Sequence, residues 1–247
     1  MKTWLLALGL LGALVGRVEA EADRRPTVAV LYFDYTGKDE GLVVLKKGLA
    51  QMLISDLSVL DGVRIVERDR LEAILAEQKL GASGKVDPAT ATKIGKLLGA
   101  KYLVLGGYFD LMGMLRADAR VVEVETGRVV QSVGAGGKPG EFIELEQKLS
   151  GELGGVLKTA LKSFAAATAK EPSQAKAKPE PQPESQPVQH FAAAPKALKT
   201  KTAVRYSAAL DALDKGNKTL AKKELQEVVK EQPDFKLAAL DLDKLAQ

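Results

Sequence analysis

The feature that most constrains the fold is a continuous apolar run near the start of the chain, TVAVLYFD, from Thr27 to Asp34. It follows Pro26 and is closed by the turn-forming Thr36-Gly37-Lys38. A half-exposed strand alternates apolar with polar residues, whereas a strand buried on both faces is apolar at consecutive positions. The run therefore predicts a central strand of a sheet that is covered by helices.

The elements after this strand alternate between helical and extended patterns. Leucines at steps of three and four predict an amphipathic helix. Asp87-Pro88 is typical of a helix start, and Gly127 suits the tip of a hairpin. The predicted elements are a helix over 42–60, a strand over 63–66, helices over 67–81 and 87–99, strands over 102–109, 115–124 and 128–133, and a helix over 145–164. This order indicates an α/β fold with a mixed β-sheet flanked by helices.

Glycines fall within or beside several of these elements. The pair Gly106-Gly107 is expected to interrupt the third strand, and a glycine-rich stretch from Gly134 to Gly140 to follow the last strand. Gly151, Gly154 and Gly155 lie inside the long helix, where each costs about 1 kcal/mol relative to alanine. Close packing against the sheet is the favoured reason for them, and a hinge is the alternative.

The N-terminal segment 1–22 is predicted to be a secretory signal peptide. Lys2 supplies a positive charge, and an apolar stretch runs from Trp4 to Val15. Cleavage is expected after one of the small residues Ala20 and Ala22. The apolar stretch is shorter than the roughly 18–20 residues that a spanning helix needs, with an uncleaved anchor as the alternative. The mature protein is expected to be soluble in the periplasm.

Two regions follow the predicted α/β domain, which spans residues 23–168. Residues 169–196 are rich in Pro, Lys and Gln, which predicts a disordered linker. Residues 197–247 have helical periodicity and resemble a single tetratricopeptide repeat, with an ordinary helical hairpin as the alternative. A lone repeat needs cover, either from its own last segment over 235–245 or from a partner. The linker is expected to present this helical module at a distance.

Composition argues against several kinds of chemistry. The chain has no cysteine, which excludes disulfides, thiolate nucleophiles and lipid anchors on sulfur. The single histidine, His190, lies in the predicted linker, away from any folded site for acid–base catalysis or metal binding. The net charge of +4 comes without a basic stripe that carries aromatics, so nucleic acid is not an expected partner. No catalytic, cofactor-binding or metal-binding residue is predicted, and the protein is expected not to be an enzyme.

Two groups of charged residues have a functional as well as a structural interpretation. Asp34, Asp39 and Glu40 follow the first strand, where α/β proteins often bind ligands. Helix capping and a solvated loop explain these three residues equally well. The run from Glu67 to Glu72, ERDRLE, is predicted to be a solvated helix start with weak local ion pairs. An interaction surface is the alternative for this run.

Four segments carry a resemblance to a known family: PTVAVLYFDYTG (26–37), VRIVERDRLEAILAEQ (63–78), GAKYLVLGGY (99–108) and ARVVEVETGRVVQS (119–132). In this order they resemble the family of the curli production assembly/transport component CsgG, whose relatives include FlgO, LpoB and the N-terminal domain of TolB. The resemblance covers about residues 26–164. It implies a CsgG- and TolB-like α/β domain.

Two departures from that family bear on function. Its channel-forming members carry an acylated cysteine after the signal, and each subunit adds two membrane-crossing hairpins. This chain has no cysteine. The short connections after residues 109 and 132 leave no room for the roughly 40 residues that two hairpins need.

The resemblance and these departures together imply a non-enzymatic periplasmic assembly or binding protein of an outer-membrane-associated system, such as curli transport or protein secretion. A secretion-channel subunit and an enzyme that relies on carboxylates alone are the alternatives. The expected partner is an envelope protein or peptide. A homo-oligomer, or a peripheral membrane association without lipidation, is compatible with this interpretation.

Overall fold

The computed structural model describes residues 25–78, 87–138, 140–168, 195 and 197–246. The predicted signal peptide lies outside these residues, as does all but one residue of the predicted linker. The expectations about them therefore stay predictions.

Six strands form one sheet, and the prediction of a mixed sheet is confirmed. They are β1 Thr27–Val30, β2 Asp34–Tyr35, β3 Arg64–Ile65, β4 Tyr102–Leu111, β5 Met114–Glu123 and β6 Val129–Gly137. The order is β3-β1-β4-β5-β6, and β2 also pairs with β4. The strands β1, β2 and β3 join the sheet through parallel pairs, whereas β4, β5 and β6 form an antiparallel meander.

The first apolar run forms two short strands instead of the single strand that is predicted. Val30 pairs with Val104 of β4, and Asp34 pairs with Gly107. The first run thus advances four residues while β4 advances three, and this one extra residue is a β-bulge. The intervening residues 31–33 are buried, so the hydrophobic pattern is correct although the pairing is broken.

Two expectations about glycines in the sheet are wrong, because glycine here permits close packing instead of ending a strand. The strand β4 runs through Gly106, where a Cβ atom would lie 2.1 Å from the backbone oxygen of Asp118. The strand β6 continues to Gly137 instead of ending near Val133. The hairpin turn at Gly127 is confirmed, with φ of +68°.

Seven α-helices surround the sheet within the described residues: α1 Leu45–Leu57, α2 Arg68–Glu77, α3 Pro88–Leu97, α4 Phe142–Thr168, α5 Thr200–Asp214, α6 Lys218–Glu231 and α7 Lys236–Lys244. Asp87 caps α3 as predicted, and its side chain accepts hydrogen bonds from the amides of Ala89 and Thr90 at 3.0 and 3.1 Å. In this part of the chain no helix has the length and apolar character required to cross a bilayer.

Helices cover the two faces of the sheet to different extents. The hydroxyl of Tyr102 contacts α4 at the carbonyl oxygen of Ala160, 3.4 Å away. Leu103, the next residue of β4, points to the other face and packs against α3 at Gly95. The helices α1 and α4 lie side by side on the first face. The second face is covered near the start of β4 and open toward its end.

The C-terminal helices pack on the α/β domain, so the expectation that they lie at a distance is wrong. The amide of Phe142 donates to the carbonyl oxygen of Leu198 at 3.0 Å, and the amide of Thr200 donates to that of Gly140 at 2.9 Å. The helix α5 then lies along α1, where Gly48 allows the close approach of Ser207. Apolar residues of α5 thereby join one continuous core with the sheet.

The last helix covers the α5–α6 pair, which is the first of the two alternatives for the helical module. The rings of Tyr206 and Phe235 meet edge to face, with centroids 4.9 Å apart. The hydroxyl of Tyr206 donates to a carboxylate oxygen of Asp241 at 2.7 Å. The module is thus closed on one side by α7 and on the other by α1.

The glycines of α4 do not pack closely on the sheet, contrary to the favoured expectation. A Cβ atom at Gly151 or Gly155 would meet nothing within 4 Å, and one at Gly154 would make ordinary contact with Leu60 at 3.7 Å. The helix is continuous through all three residues. The predicted helix is therefore confirmed, whereas close packing on the sheet does not explain its glycines.

Candidate functional site

Five charged side chains meet where α1, α2 and α5 converge, and we call them the Lys47–Arg68 charge cluster: Lys47, Arg68, Glu72, Asp211 and Asp214. The ammonium group of Lys47 lies 2.6 Å from Asp214, 3.1 Å from Asp211 and 3.1 Å from Glu72. One guanidinium nitrogen of Arg68 donates to both carboxylate oxygens of Asp214, at 2.7 and 2.8 Å. The two cations are buried, with side chains 5% and 6% exposed.

The electrostatics of the cluster favour its charged form. Burial on its own would raise the pKa of Asp214, but Arg68 and Lys47 outweigh this effect and hold the pKa below its usual value. Burial likewise opposes the charge of Lys47, yet Asp214 and Glu72 raise its pKa. Buried ions of opposite sign must be paired, because an isolated one would lose its hydration without compensation.

The cluster corrects the interpretation of ERDRLE as a solvated helix start. Asp69 fits that interpretation, with a side chain 88% exposed, but Arg68 is buried. Arg68 contacts Asp214 on α5 of the same chain, and the alternative of an interaction surface for this run stays a prediction. The sequence analysis missed Lys47 and Asp214, because no local pattern connects residues on three separate helices.

The three carboxylates after the first strand do not gather into one pocket. Asp39 caps a short 3-10 helix, Glu40–Leu42, by accepting from the amide of Gly41 at 2.9 Å. Glu40 is exposed, and Asp34 is half-buried where β2 pairs with β4. Among the described residues, no group of three or more histidine or acidic side chains is arranged to hold a metal ion.

The uncovered part of the second sheet face is a second candidate site, which we call the open sheet face. It contains a shallow depression of about 320 Å³, lined by Thr36, Gly106, Gly107, Phe109, Asp118, Ala119, Arg120 and Ser132. The ring of Phe109 is half-buried, while Asp118 and Arg120 are exposed. A mixture of one aromatic ring, both signs of charge and accessible backbone suits a polypeptide better than a small apolar ligand.

The turn between β4 and β5 carries apolar side chains into solvent, and we call it the hairpin tip. Leu111, Met112 and Met114 are 63%, 93% and 51% exposed. Met112 has φ of +54°, the left-handed conformation that Gly, Asn and Asp adopt more easily. No motif in the sequence marks this turn as a site, and its one signal is an apolar residue where a polar turn residue is usual.

A buried carboxyl pair lies between α1 and α4. Glu146 is fully buried, and neither carboxyl oxygen has a hydrogen-bond partner within the described residues. Burial, with Asp56 close by, raises the pKa of Glu146 well above its usual value. Burial also raises the pKa of Asp56, whose carboxylate accepts from Ser150 at 3.1 Å. Both carboxyl groups therefore keep their protons to higher pH than exposed carboxyl groups do.

The fold and these surfaces define a mixed-sheet α/β protein with a fused helical layer and one sheet face left open. Residues 16–111 match the family named Curli production assembly/transport component CsgG. The resemblance that the sequence predicts is thereby confirmed over these residues. No curated protein matches this sequence.

Solved structures with a similar fold come from several bacteria. The LpoB C-terminal domain from Escherichia coli is 13% identical, covers 46% of this chain and 83% of that one, and gives a TM-score of 0.39. Lipoprotein GNA1162 from Neisseria meningitidis is 16% identical over 57% of this chain and 99% of that one, with a TM-score of 0.37. TolB from Acinetobacter baumannii is 10% identical over 57% and 29%, with a TM-score of 0.31. At these identities the likeness concerns the fold alone.

Proposed function

We propose that this protein is a non-enzymatic assembly or binding protein of an outer-membrane-associated envelope system, and that it holds a protein or peptide partner on the open sheet face and the hairpin tip. The observation that carries the proposal is the exposure of Leu111, Met112 and Met114 on one turn. Contiguous apolar side chains in solvent mark interaction sites more often than chance exposure does.

The positions of the helices leave the open sheet face and the hairpin tip accessible to a partner. The first face is occupied by α1 and α4, and the outer side of α1 by α5. The hairpin tip and the open sheet face adjoin each other, since Phe109 and Arg116 pair directly across β4 and β5. A partner that binds here would bury the apolar tip and pair with Arg120 and Asp118 at its rim.

The description of the matched family supports the proposed role in envelope assembly. It names an assembly/transport component of curli production, which is work done in the bacterial envelope. The predicted signal peptide would deliver this chain to the periplasm. The buried cations Lys47 and Arg68 are neutralised by the chain's own carboxylates, which supports a structural role for them.

Site-specific photo-crosslinking in intact cells tests the proposal. A benzophenone amino acid at position 112 should form an adduct with an envelope protein, and the same amino acid at position 59 should not. Val59 is a matched control, because it is also an exposed apolar turn residue, at 54%. The absence of adducts from 112, 114 and 120, in cells where the chain is folded and exported, would rule the surface out.

A second measurement tests the non-enzymatic part of the proposal. The substitutions Asp34→Asn, Asp39→Asn and Glu40→Gln remove the carboxylates nearest the end of the first strand and keep their size. Asparagine also keeps the helix cap at position 39. Each variant should retain the wild-type phenotype and the adduct at position 112. A loss of phenotype with the adduct intact would favour the carboxylate enzyme instead.

A further inference from the structure

The outer edge of β6 is the least protected edge of the sheet. In the described part of the chain, β6 pairs only with β5, and no other backbone hydrogen bond involves residues 129–137. Its nine residues, VVQSVGAGG, contain no charge and no proline. The one irregularity of its pairing lies at Val121/Val122, so the register is unbroken from Gln131 to Gly137.

Natural edge strands normally discourage further pairing. They do so with lysines, prolines, bulges or a covering segment, because free amide and carbonyl groups are a template for another strand. Within the described residues, the strand β6 has none of these features along its regular part. An edge of this length and regularity is therefore suited to receive a strand.

We propose that the edge of β6 pairs antiparallel with β6 of a second copy of this chain, around a two-fold axis at Val133. Such a pairing sets Ser132 opposite Gly134, Gln131 opposite Ala135, and Val130 opposite Gly136. Val133 meets its own copy at the axis, and every other larger side chain faces a glycine or an alanine, which leaves room for it. The pairing also brings no like charges together, which is the usual obstacle to self-association of a strand.

The two glycines of α4 that the fold leaves unexplained fit the same arrangement. The helix α4 lies over β5 and β6 and has open space at Gly151 and Gly155. Because paired strands lie about 4.8 Å apart, extension of the sheet through β6 brings the two copies of α4 side by side. Glycines on facing helices permit the backbones to approach closely.

The chain's own linker is a poor occupant of this edge. Prolines at 172, 179, 181, 183, 187 and 195 divide it into stretches shorter than β6. Each proline lacks the amide hydrogen that a ladder needs. A second copy, in contrast, offers an identical strand with every amide present.

A disulfide test exploits the absence of cysteine from the chain. Residues directly opposite across an antiparallel pair have Cα atoms about 4.5–5.5 Å apart, within the range of a disulfide. Under mild oxidation the full chain with Val133→Cys should form a covalent dimer. Val59→Cys is the exposed control, and Gln131→Cys is the register control, since residue 131 lies about 14 Å from its own copy. Neither control should crosslink.

A dimer-breaking variant completes the test. A Cβ atom at Gly136 would meet only the backbone oxygen of Leu115, at 3.6 Å, so a side chain fits in the single chain. Gly136→Glu places a carboxylate opposite Arg116 of β5, so it should not lower the melting temperature of the monomer, and it should shift analytical ultracentrifugation from dimer to monomer. A wild-type chain that stays monomeric over the accessible concentrations, or a dimer that Val133→Cys does not trap, overturns the pairing. Loss of this dimer with the position-112 adduct retained would leave the proposed function standing.

Discussion

Arg68 donates two hydrogen bonds from one guanidinium nitrogen to the carboxylate of Asp214, across 146 positions of sequence. Arg68 begins α2, which lies in one of the segments that resemble the CsgG family, and Asp214 ends the first helix of the C-terminal module. Neither charge stands out from its neighbours in the sequence, yet the ion pair joins α2 of the α/β domain to α5 of the C-terminal module. Lys47, Asp211 and Glu72 complete the cluster around this pair.

Removal of the Asp214 charge should loosen the C-terminal layer. Asp214→Asn leaves Arg68 and Lys47 buried with one carboxylate fewer, and breaking a buried ion pair typically costs about 3 kcal/mol. Urea unfolding monitored by circular dichroism should give a lower free energy of unfolding by this amount. Asp243→Asn is the control, because Asp243 is exposed on α7, and it should change stability by less than about 0.5 kcal/mol. Equal effects in the two variants would contradict the role of the cluster.

Close approach of α1 and α5 should depend on Gly48. A Cβ atom at this position would lie 2.1 Å from the hydroxyl oxygen of Ser207, so Gly48→Ala should cost about 1–3 kcal/mol despite the better helix propensity of alanine. The double variant with Ser207→Ala should recover most of this loss. Thermal melts of the four chains of the cycle measure the coupling.

The same substitution in α4 provides an opposite-sign control. Gly151 has open space around it within the single chain, so Gly151→Ala in the monomeric Gly136→Glu background should raise stability by up to about 1 kcal/mol. If Gly48→Ala stabilised the protein as Gly151→Ala does, the packing of α5 on α1 would have to be reconsidered.

The buried Glu146 should make stability fall as pH rises. The pKa of Glu146 is raised in the folded protein, mainly by burial, so the folded state keeps a proton that the unfolded chain releases above about pH 4.5. The stabilising contribution is complete below that pH and is lost as pH rises toward the folded-state pKa. Glu146→Gln has no proton to lose, so it should be more stable than the wild type at pH 7.

The pH profile distinguishes this effect from a simple change in packing. The advantage of Glu146→Gln should shrink toward pH 4, as measured by melting temperatures from pH 4 to pH 8. Glu152→Gln, on the exposed side of the same helix, should follow the wild-type profile. A constant difference at every pH would show that ionisation of Glu146 is not the cause.

The hairpin tip should be more stable without its methionine. Met112 has φ of +54°, whereas Asn tolerates this conformation and Asn-Gly is a favoured hairpin turn. Met112→Asn should therefore raise the free energy of unfolding by about 0.5–1 kcal/mol, and it should reduce partner adducts captured from position 114. Gly113→Ala, at φ of +79°, should destabilise the turn instead. A destabilised Met112→Asn variant would mean that the methionine has a structural role.

Several parts of the molecule follow from short-range patterns. The apolar run at Val28 predicts a buried central strand, and Asp87 predicts a helix start, because each effect depends on neighbours within a few residues. The family resemblance likewise predicts the mixed sheet. The role of Gly106 does not follow from short-range patterns. This residue lies inside β4, where the backbone of Asp118 on the neighbouring strand approaches it closely.

The sequence by itself determined the α/β class, the order of the main elements and the resemblance to the CsgG family, because periodicity and capping act locally. Only the tertiary structure decided that the C-terminal helices lie on α1, that Arg68 is buried against Asp214, and that Met112 stands in solvent. Each of these depends on contacts between residues far apart in the chain. The free energy of such contacts arises from burial and charge pairing, which no local pattern encodes.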